Sequence, residues 1–331
     1  MHQACNLTDS PVRSNLILTR TKKHQARTIQ LHHTFTIFLL LSLSYQPVYA
    51  IEFVHKLDLQ VRADDRSSRQ IRYQYRVRYY PSVVFDETWS AHGFVVTGDE
   101  FGSSHNTFDD GTADYVYPRR AYLRHQGTYG KTEVGIIPTF KGRVSSSGLS
   151  KDGWIRGLRH VRAVPNAQLE VVVGQLNTLD PADALQEPSE IDYVEVEYSA
   201  DLSAKTSFEL SGERMTQANF LRTELRHVFH QNFTGFAELV ARLDESRTKF
   251  ILGSDSAFEL LGSPMQLTAH YAYVSEGFGL RAELTEDFLG TGHGITAELS
   301  SAIASSAWEW FVRFDGTETR SRFIAGLKWS L

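Results

Sequence analysis

Beyond Cys5 the 331-residue chain has no cysteine. That excludes a disulfide framework, a thiolate metal site and a cysteine nucleophile from everything that follows. Long apolar runs are also missing. None approaches the ~20 residues that a spanning helix needs, so a helical membrane protein is excluded. Basic residues are not in excess either: 34 Lys and Arg face 39 Asp and Glu, a net of −5, which offers no footprint for nucleic acid. The charge is unevenly placed. Residues 1–50 hold Arg13, Arg20, Lys22, Lys23 and Arg27 against Asp9 alone, and the remaining 281 residues carry −9.

What is present at the start is a basic stretch (RTKKHQAR, from Arg20), an apolar core (Phe35 to Tyr45) and the small-residue end Val48-Tyr49-Ala50. This is the order of a secretory signal peptide, with cleavage expected after Ala50. Residues 1–19 stay outside the fold reading. The expected organisation is thus an N-terminal extension and signal over 1–50 and an exported body over 51–331.

After Ala50 the apolar pattern has period two, the pleat of a strand with one greasy and one wet face. Ile71, Tyr73, Tyr75, Val77 and Tyr79 alternate with Arg72, Gln74, Arg76 and Arg78. The pattern returns at Leu221–Phe229, Leu267–Tyr273 and Trp308–Phe314, and also at Phe278, Leu280, Ala282 and Leu284. Turn clusters such as Asp244-Glu245-Ser246 and Gly262-Ser263-Pro264 separate these runs. They delimit 17 candidate strands, an odd total that closed antiparallel pairing with both termini on one side cannot use in full. Alternation alone does not separate a soluble sandwich or small barrel, whose charged faces would turn outward, from a transmembrane barrel. The signal peptide, the cysteine-free body, the aromatic residues at strand ends and the absence of long apolar runs favour the membrane. With apolar side chains toward lipid and polar ones toward water, the same alternation fits an all-β chain forming a single closed antiparallel transmembrane β-barrel of about 16 strands, range 14–18. Closure is required there, because an open edge in hydrocarbon would strand backbone groups.

The last segment alternates to its end through Phe323, Ala325, Leu327, Trp329 and Leu331. It resembles the C-terminal signal by which bacterial outer-membrane barrels are recognised by the barrel-assembly machinery. Phe323, Leu327, Trp329 and Leu331 would carry it, and Leu331 stands where an aromatic residue is usual. RQIRYQYRVRYYP, FVVTGDEFGSSHNTFDD, RRAYLRHQGTYGKTEVGIIP and KDGWIRGLRHV, within residues 55–175, resemble putative bacterial outer-membrane porins related in layout to the phosphate-selective and alginate-export barrels. The resemblance implies a channel in Gram-negative outer-membrane lipid, with passive diffusion of small polar or anionic solutes as its activity. It implies no cofactor and no metal.

Size leads to the same expectation, since about 16 strands enclose an aqueous channel. Arg72, Arg76 and Arg78 share one face, Arg120 and Arg124 another, and Arg156 and Arg162 follow; all are expected to line the pore. Glu209 and Glu224, with Glu213, Glu238 and Glu298, sit on polar faces of the second half. These charges either form a basic and an acidic wall that select ions, or pair between neighbouring strands. Two acidic connections, Asp99–Tyr115 and Asn177–Glu190, either narrow the pore or face water, and Asp180, Asp183 and Glu187 are the constriction candidates in the second. Calcium binding by Asp109, Asp110 and Asp114 is a weaker reading. The alternatives are a lipid hydrolase of the outer-membrane type and a structural barrel with a plugged lumen. No GxSxG or HExxH occurs, His92, His105, His125 and His160 stand alone, and GTGHG at Gly290–Gly294 lacks the helix of a phosphate loop. The chain is therefore read as a non-enzyme.

Overall fold

In the computed structural model the described residues are 51–108, 115–139, 149–279, 281, 290–304 and 306–331. The expected signal peptide and its cleavage site lie outside them, as do Asp109, Asp110 and Asp114. The strands are β1 (Glu52–Arg66), β2 (Arg69–Val84), β3 (Trp89–Thr97), β4 (Asn106–Thr107), β5 (Val116–Gly127), β6 (Gly130–Pro138), β7 (Trp154–Val164), β8 (Ala167–Gln175) and β9 (Tyr193–Ser203). They continue with β10 (Thr206–Met215), β11 (Ala218–His230), β12 (Phe233–Arg242), β13 (Arg247–Leu260), β14 (Ser263–Val274), β15 (Gly292–Ala302), β16 (Trp308–Thr317) and β17 (Ser321–Ser330). Each wall strand pairs antiparallel with its neighbours, and β1 closes the ring on β17 from Asp58↔Ser330 to Arg66↔Arg322. Sixteen strands make this closed barrel. The two-residue β4 is additional and continues the line of β3 along β2, at Tyr75↔Asn106 and Gln74↔Thr107.

The sequence-based count of 17 included a strand from Phe278, which is corrected here. β14 pairs directly with β15 from Gln266↔Ser300 to Val274↔Gly292, so the wall has no place for a strand between them. Gly277 and Gly279 both have positive φ, which ends the extended run, and Phe278 is buried in the apolar cluster. Leu280, Ala282 and Leu284 lie outside the described residues.

Burial is inverted relative to a soluble protein. Glu209 is 0 % exposed while its neighbour Leu210 is 43 % exposed. Val61, Leu123, Val134, Leu158, Leu225 and Ile295 likewise face outward. An apolar outer surface over the whole ring is what a hydrocarbon solvent requires. The two ends differ as well. The start of β1 and the end of β17 share one end with short turns, such as 165–166, 204–205 and 231–232, whereas the strands flanking the longest connections, 98–115, 139–153, 176–192 and 275–291, meet them at the other end.

At one stretch of the ring the backbones come unusually close. Gly135, Gly157 and Gly174 face one another on β6, β7 and β8. A Cβ on Gly157 would meet the carbonyl oxygen of Val173 at 2.1 Å, and one on Gly174 would meet that of Arg156 at 2.5 Å. Glycine is what lets the wall coil tightly at such a point.

Candidate functional site

The inner face of β1, β2, β16 and β17 is an arginine wall. The pleat that turns Tyr73, Val77 and Tyr79 outward sends Arg72, Gln74, Arg76 and Arg78 inward, and the β1 register sets Arg62 opposite Gln74 and Asp64 opposite Arg72. Nearest the end with the long connections, Asp64 is fully buried. It accepts two bonds from Arg322, both 3.0 Å, with Arg69 at 2.9 Å, Arg66 at 3.2 Å and Arg62 at 3.7 Å. One carboxylate thus serves four guanidinium groups. Arg72 lies on the same face, exposed.

Farther in, two connections fold against this wall. Residues 98–105 turn inward between β3 and β4, and residues 149–153 join them. Phe101 packs on Trp154 with ring centroids 4.6 Å apart, and both are buried with Leu149. Arg119, itself fully buried, donates to the carbonyls of Glu100, Thr97, Gly98 and Ser103 at 2.8–3.3 Å. Arg120 lies over the Phe94 ring at 4.5 Å and donates to the carbonyls of Gly153, at 2.8 Å, and Lys151. Buried carbonyls need donors, and these two arginines supply them.

Between the wall and these loops lies a cavity of about 200 Å³ lined by Arg62, Arg76, Arg78, Arg313, Ser104, His105, Lys151 and Asp152. Among the described residues lining it, Asp152 is the only acidic one. Its Oδ2 accepts from Arg78 at 2.7 Å and from Ser104, with Arg76 at 3.9 Å. Burial pushes the Asp152 carboxyl up, but Arg78 and Arg76 outweigh it and hold the group at about 2. Burial, then Arg62, Arg76 and Arg78, hold the His105 imidazole well below its ordinary range, so it is neutral at physiological pH; it bonds Gln60 at 2.9 Å.

Half-way round the ring the inner face is acidic. Glu195, Glu197, Glu209, Glu213, Glu224 and Glu238 are buried on β9–β12. Arg222 sits among four of them, 2.8 Å from Glu209, 2.9 Å from Glu224, 3.0 Å from Glu238 and 3.5 Å from Glu197. Arg124 pairs with Glu133 at 2.8 Å, and Arg159 bridges Glu133 and Glu170, both at 3.0 Å. An apolar cluster that includes Tyr193, Phe220, Val240 and Phe278 packs beside the acidic face.

The other candidates lie elsewhere. Arg156 and Arg162 share the face of exposed Leu158, the outward one, opposite inward-facing Arg159. Arg156 is buried there under the 176–192 connection, donating to the carbonyls of Asp183 and Gln186 at 3.3 Å and to Thr178 at 2.6 Å. Asp180 caps the 3-10 turn Pro181–Asp183, and Asp183 holds Gln186; Asp180 and Glu187 are exposed. This connection covers Arg156, and Ala184 within it is buried in the apolar cluster. At the C-terminus, Phe323, Leu327 and Trp329 share the outward face of β17, and Leu331 exchanges backbone bonds with Leu57 at 3.0 and 3.3 Å. Arg62, Arg313, Arg119 and Asp152 were missed by the sequence reading. The alternation of Gln60, Arg62 and Asp64 was the available signal for Arg62, and nothing local marks Asp152.

The fold defines a class, the closed 16-strand antiparallel β-barrels, and the solved structures it resembles include porins. No family model and no curated protein matches the sequence. Among solved structures the chain is similar to a Rhodopseudomonas blastica porin carrying three substitutions, at 9 % identity and a TM-score of 0.60, over 85 % of this chain and 100 % of that one. A structure described as concerning asymmetric conductivity of engineered proteins matches over the same shares with a TM-score of 0.61. A loop-deleted OmpT, an outer membrane protein of Vibrio cholerae, matches at 10 % identity and 0.54, over 86 % and 100 %.

Proposed function

We propose that the chain is an outer-membrane channel, not an enzyme, through which small polar and preferentially anionic solutes diffuse passively. The observation that carries this reading is the arginine wall: Arg72, Arg76, Arg78, Arg62 and Arg313 share the inner face of one sector, with Arg66, Arg69 and Arg322 beside them on Asp64. Fixed positive charge in a narrow aqueous path favours anions and disfavours cations. The porin-like neighbours and the outward apolar surface support an outer-membrane location. The long connections would face outward from the cell and the short turns the periplasm, as in other barrels of this kind.

The test is the reversal potential of the purified barrel in planar bilayers across a salt gradient. Weak anion preference is expected, growing as salt falls, because charges are screened over ~10 Å at 0.1 M. The triple variant R72A/R76A/R78A should lose it. Cation preference in the wild type would refute the reading. A second reading, a structural barrel with a plugged lumen, is supported by the dense burial of the acidic sector, where Glu209 and Glu224 reach no solvent. Absence of any conductance would favour it.

A further inference from the structure

Asp152 is a carboxylate held at an arginine site through one of its two oxygens. Oδ2 takes the bonds from Arg78 and Ser104, while Oδ1 is buried with no hydrogen-bond partner. Arg76 is little better served. Its contacts in this cavity are long, 3.5 Å to the Ser104 hydroxyl and 3.9 Å to Asp152. The Arg78 Nε is buried and makes no hydrogen bond. An acceptor with one idle oxygen therefore lies beside one guanidinium with an idle Nε donor and a second whose contacts are long. Both sides lose stabilisation that a better-placed carboxylate would recover, since a two-point pair with a guanidinium is the stronger geometry.

We infer that this cavity is a carboxylate subsite of the channel, occupied at rest by the side chain of Asp152, and that small monocarboxylate solutes bind by displacing it. The inference rests on the channel reading above. The displacement is a side-chain movement, because the backbone on both sides is pinned. Gly153 and Lys151 carbonyls are held by Arg120, Ser150 donates to the Phe101 carbonyl at 3.0 Å, and Leu149 and Trp154 are packed in the apolar cluster. When displaced, Asp152 stays within a few ångströms and competes to return.

Such a tethered competitor acts at a high effective concentration, millimolar or above for short tethers. It keeps solute affinity low and residence short, which conduction requires: binding strong enough to enter and weak enough to leave. Asp152 thereby sets affinity at the site without itself being the selectivity filter. A solute of acetate size is compatible with about 200 Å³ beside the resident side chain.

The experiment uses the full barrel in planar bilayers, folded as judged by its heat-modifiable band, carrying chloride current with acetate added. Wild type should show weak inhibition by acetate. Asp152→Asn keeps the shape and removes the charge, and should lower the half-inhibiting acetate concentration roughly tenfold by removing the competitor. Ser104→Ala removes one holder of Asp152 and should act in the same direction by a smaller factor, which keeps the test available if the first variant folds badly. Adding Arg78→Ala to either variant should abolish the gain. If both single variants conduct chloride with wild-type acetate inhibition, the inference is overturned while the channel reading stands. If the wild type conducts no anions, both fall.

Discussion

Arg322 and Asp64, 258 residues apart in sequence, form a two-point ion pair at 3.0 Å across the seam where the last strand meets the first. The pair is buried, and Arg62, Arg66 and Arg69 converge on the same carboxylate. It couples barrel closure to the charge pattern of the lumen, because the group that holds the seam also neutralises part of the arginine wall.

Asp64→Asn is therefore expected to destabilise the folded barrel by about 3–5 kcal/mol, the usual consequence of leaving a buried charge without its partner. Urea unfolding in lipid vesicles, followed by the heat-modifiable gel shift, measures it. Lys56→Ala, which removes an exposed pair with Asp58 at 3.2 Å, should cost less than about 1 kcal/mol. Equal losses in the two variants would mean that the seam pair has no special weight.

Gly157→Ala should be among the most damaging small substitutions. The added methyl carbon would stand 2.1 Å from the Val173 carbonyl oxygen, and the paired strands on both sides prevent that backbone from yielding. Overpacking of a fixed site costs about 1–3 kcal/mol or more. The yield of folded barrel should fall sharply. Gly212→Ala, where a Cβ meets nothing within 4 Å, should fold normally in the same assay.

Removal of Trp329–Leu331 should reduce folded protein in the outer membrane. These residues close the seam as well as ending the chain: Trp329 stands opposite Leu59, and Leu331 exchanges two backbone bonds with Leu57. To separate recognition by the assembly machinery from closure, refolding of the truncated chain into vesicles without that machinery is compared with its yield in cells. A deficit only in cells identifies an assembly signal, and equal deficits identify lost pairing.

The alternation of Tyr73, Tyr75, Val77 and Tyr79 with Arg72, Gln74, Arg76 and Arg78 was enough to define a strand and its two faces, because the pleat ties side-chain direction to residue parity. Repetition of that pattern made a closed barrel of about 16 strands legible. It failed at Phe278–Leu284, where apolar spacing is compatible with a strand but two positive-φ glycines and the β14–β15 pairing leave no room for one. The site was less legible for a different reason. Parity within one strand does not say which parity faces the lumen, so Arg156 and Arg162 were joined to the pore although Leu158 shares their face and points outward. Asp152 belongs to a loop, where position follows from tertiary contacts with Arg78, Arg120 and Phe101 and from no periodicity at all. Glu209 and Glu224 are read from parity, but their shared partner, Arg222, emerges only from the register of β9 to β12.

The arginines of the two faces provide the sharpest test of the channel reading. Arg76 and Arg78 border the lumen cavity, whereas Arg162 is exposed on the outward face and Arg156 is buried on that face beneath the rim connection. A charge acts on a permeating ion through the water path between them, and over ~10 Å at 0.1 M salt that influence is largely lost. Arg76→Ala and Arg78→Ala should each move the reversal potential toward cations, more at low salt than at high salt. Arg162→Ala should leave it unchanged. Arg156→Ala should also leave it unchanged while lowering thermal stability, since the variant frees the carbonyls of Asp183 and Gln186 and the Thr178 hydroxyl from their guanidinium. If Arg162→Ala alters selectivity as much as Arg76→Ala does, selectivity reflects net charge and not the inner wall, and the lumen arginines are structural partners of Asp64 and Asp152 alone.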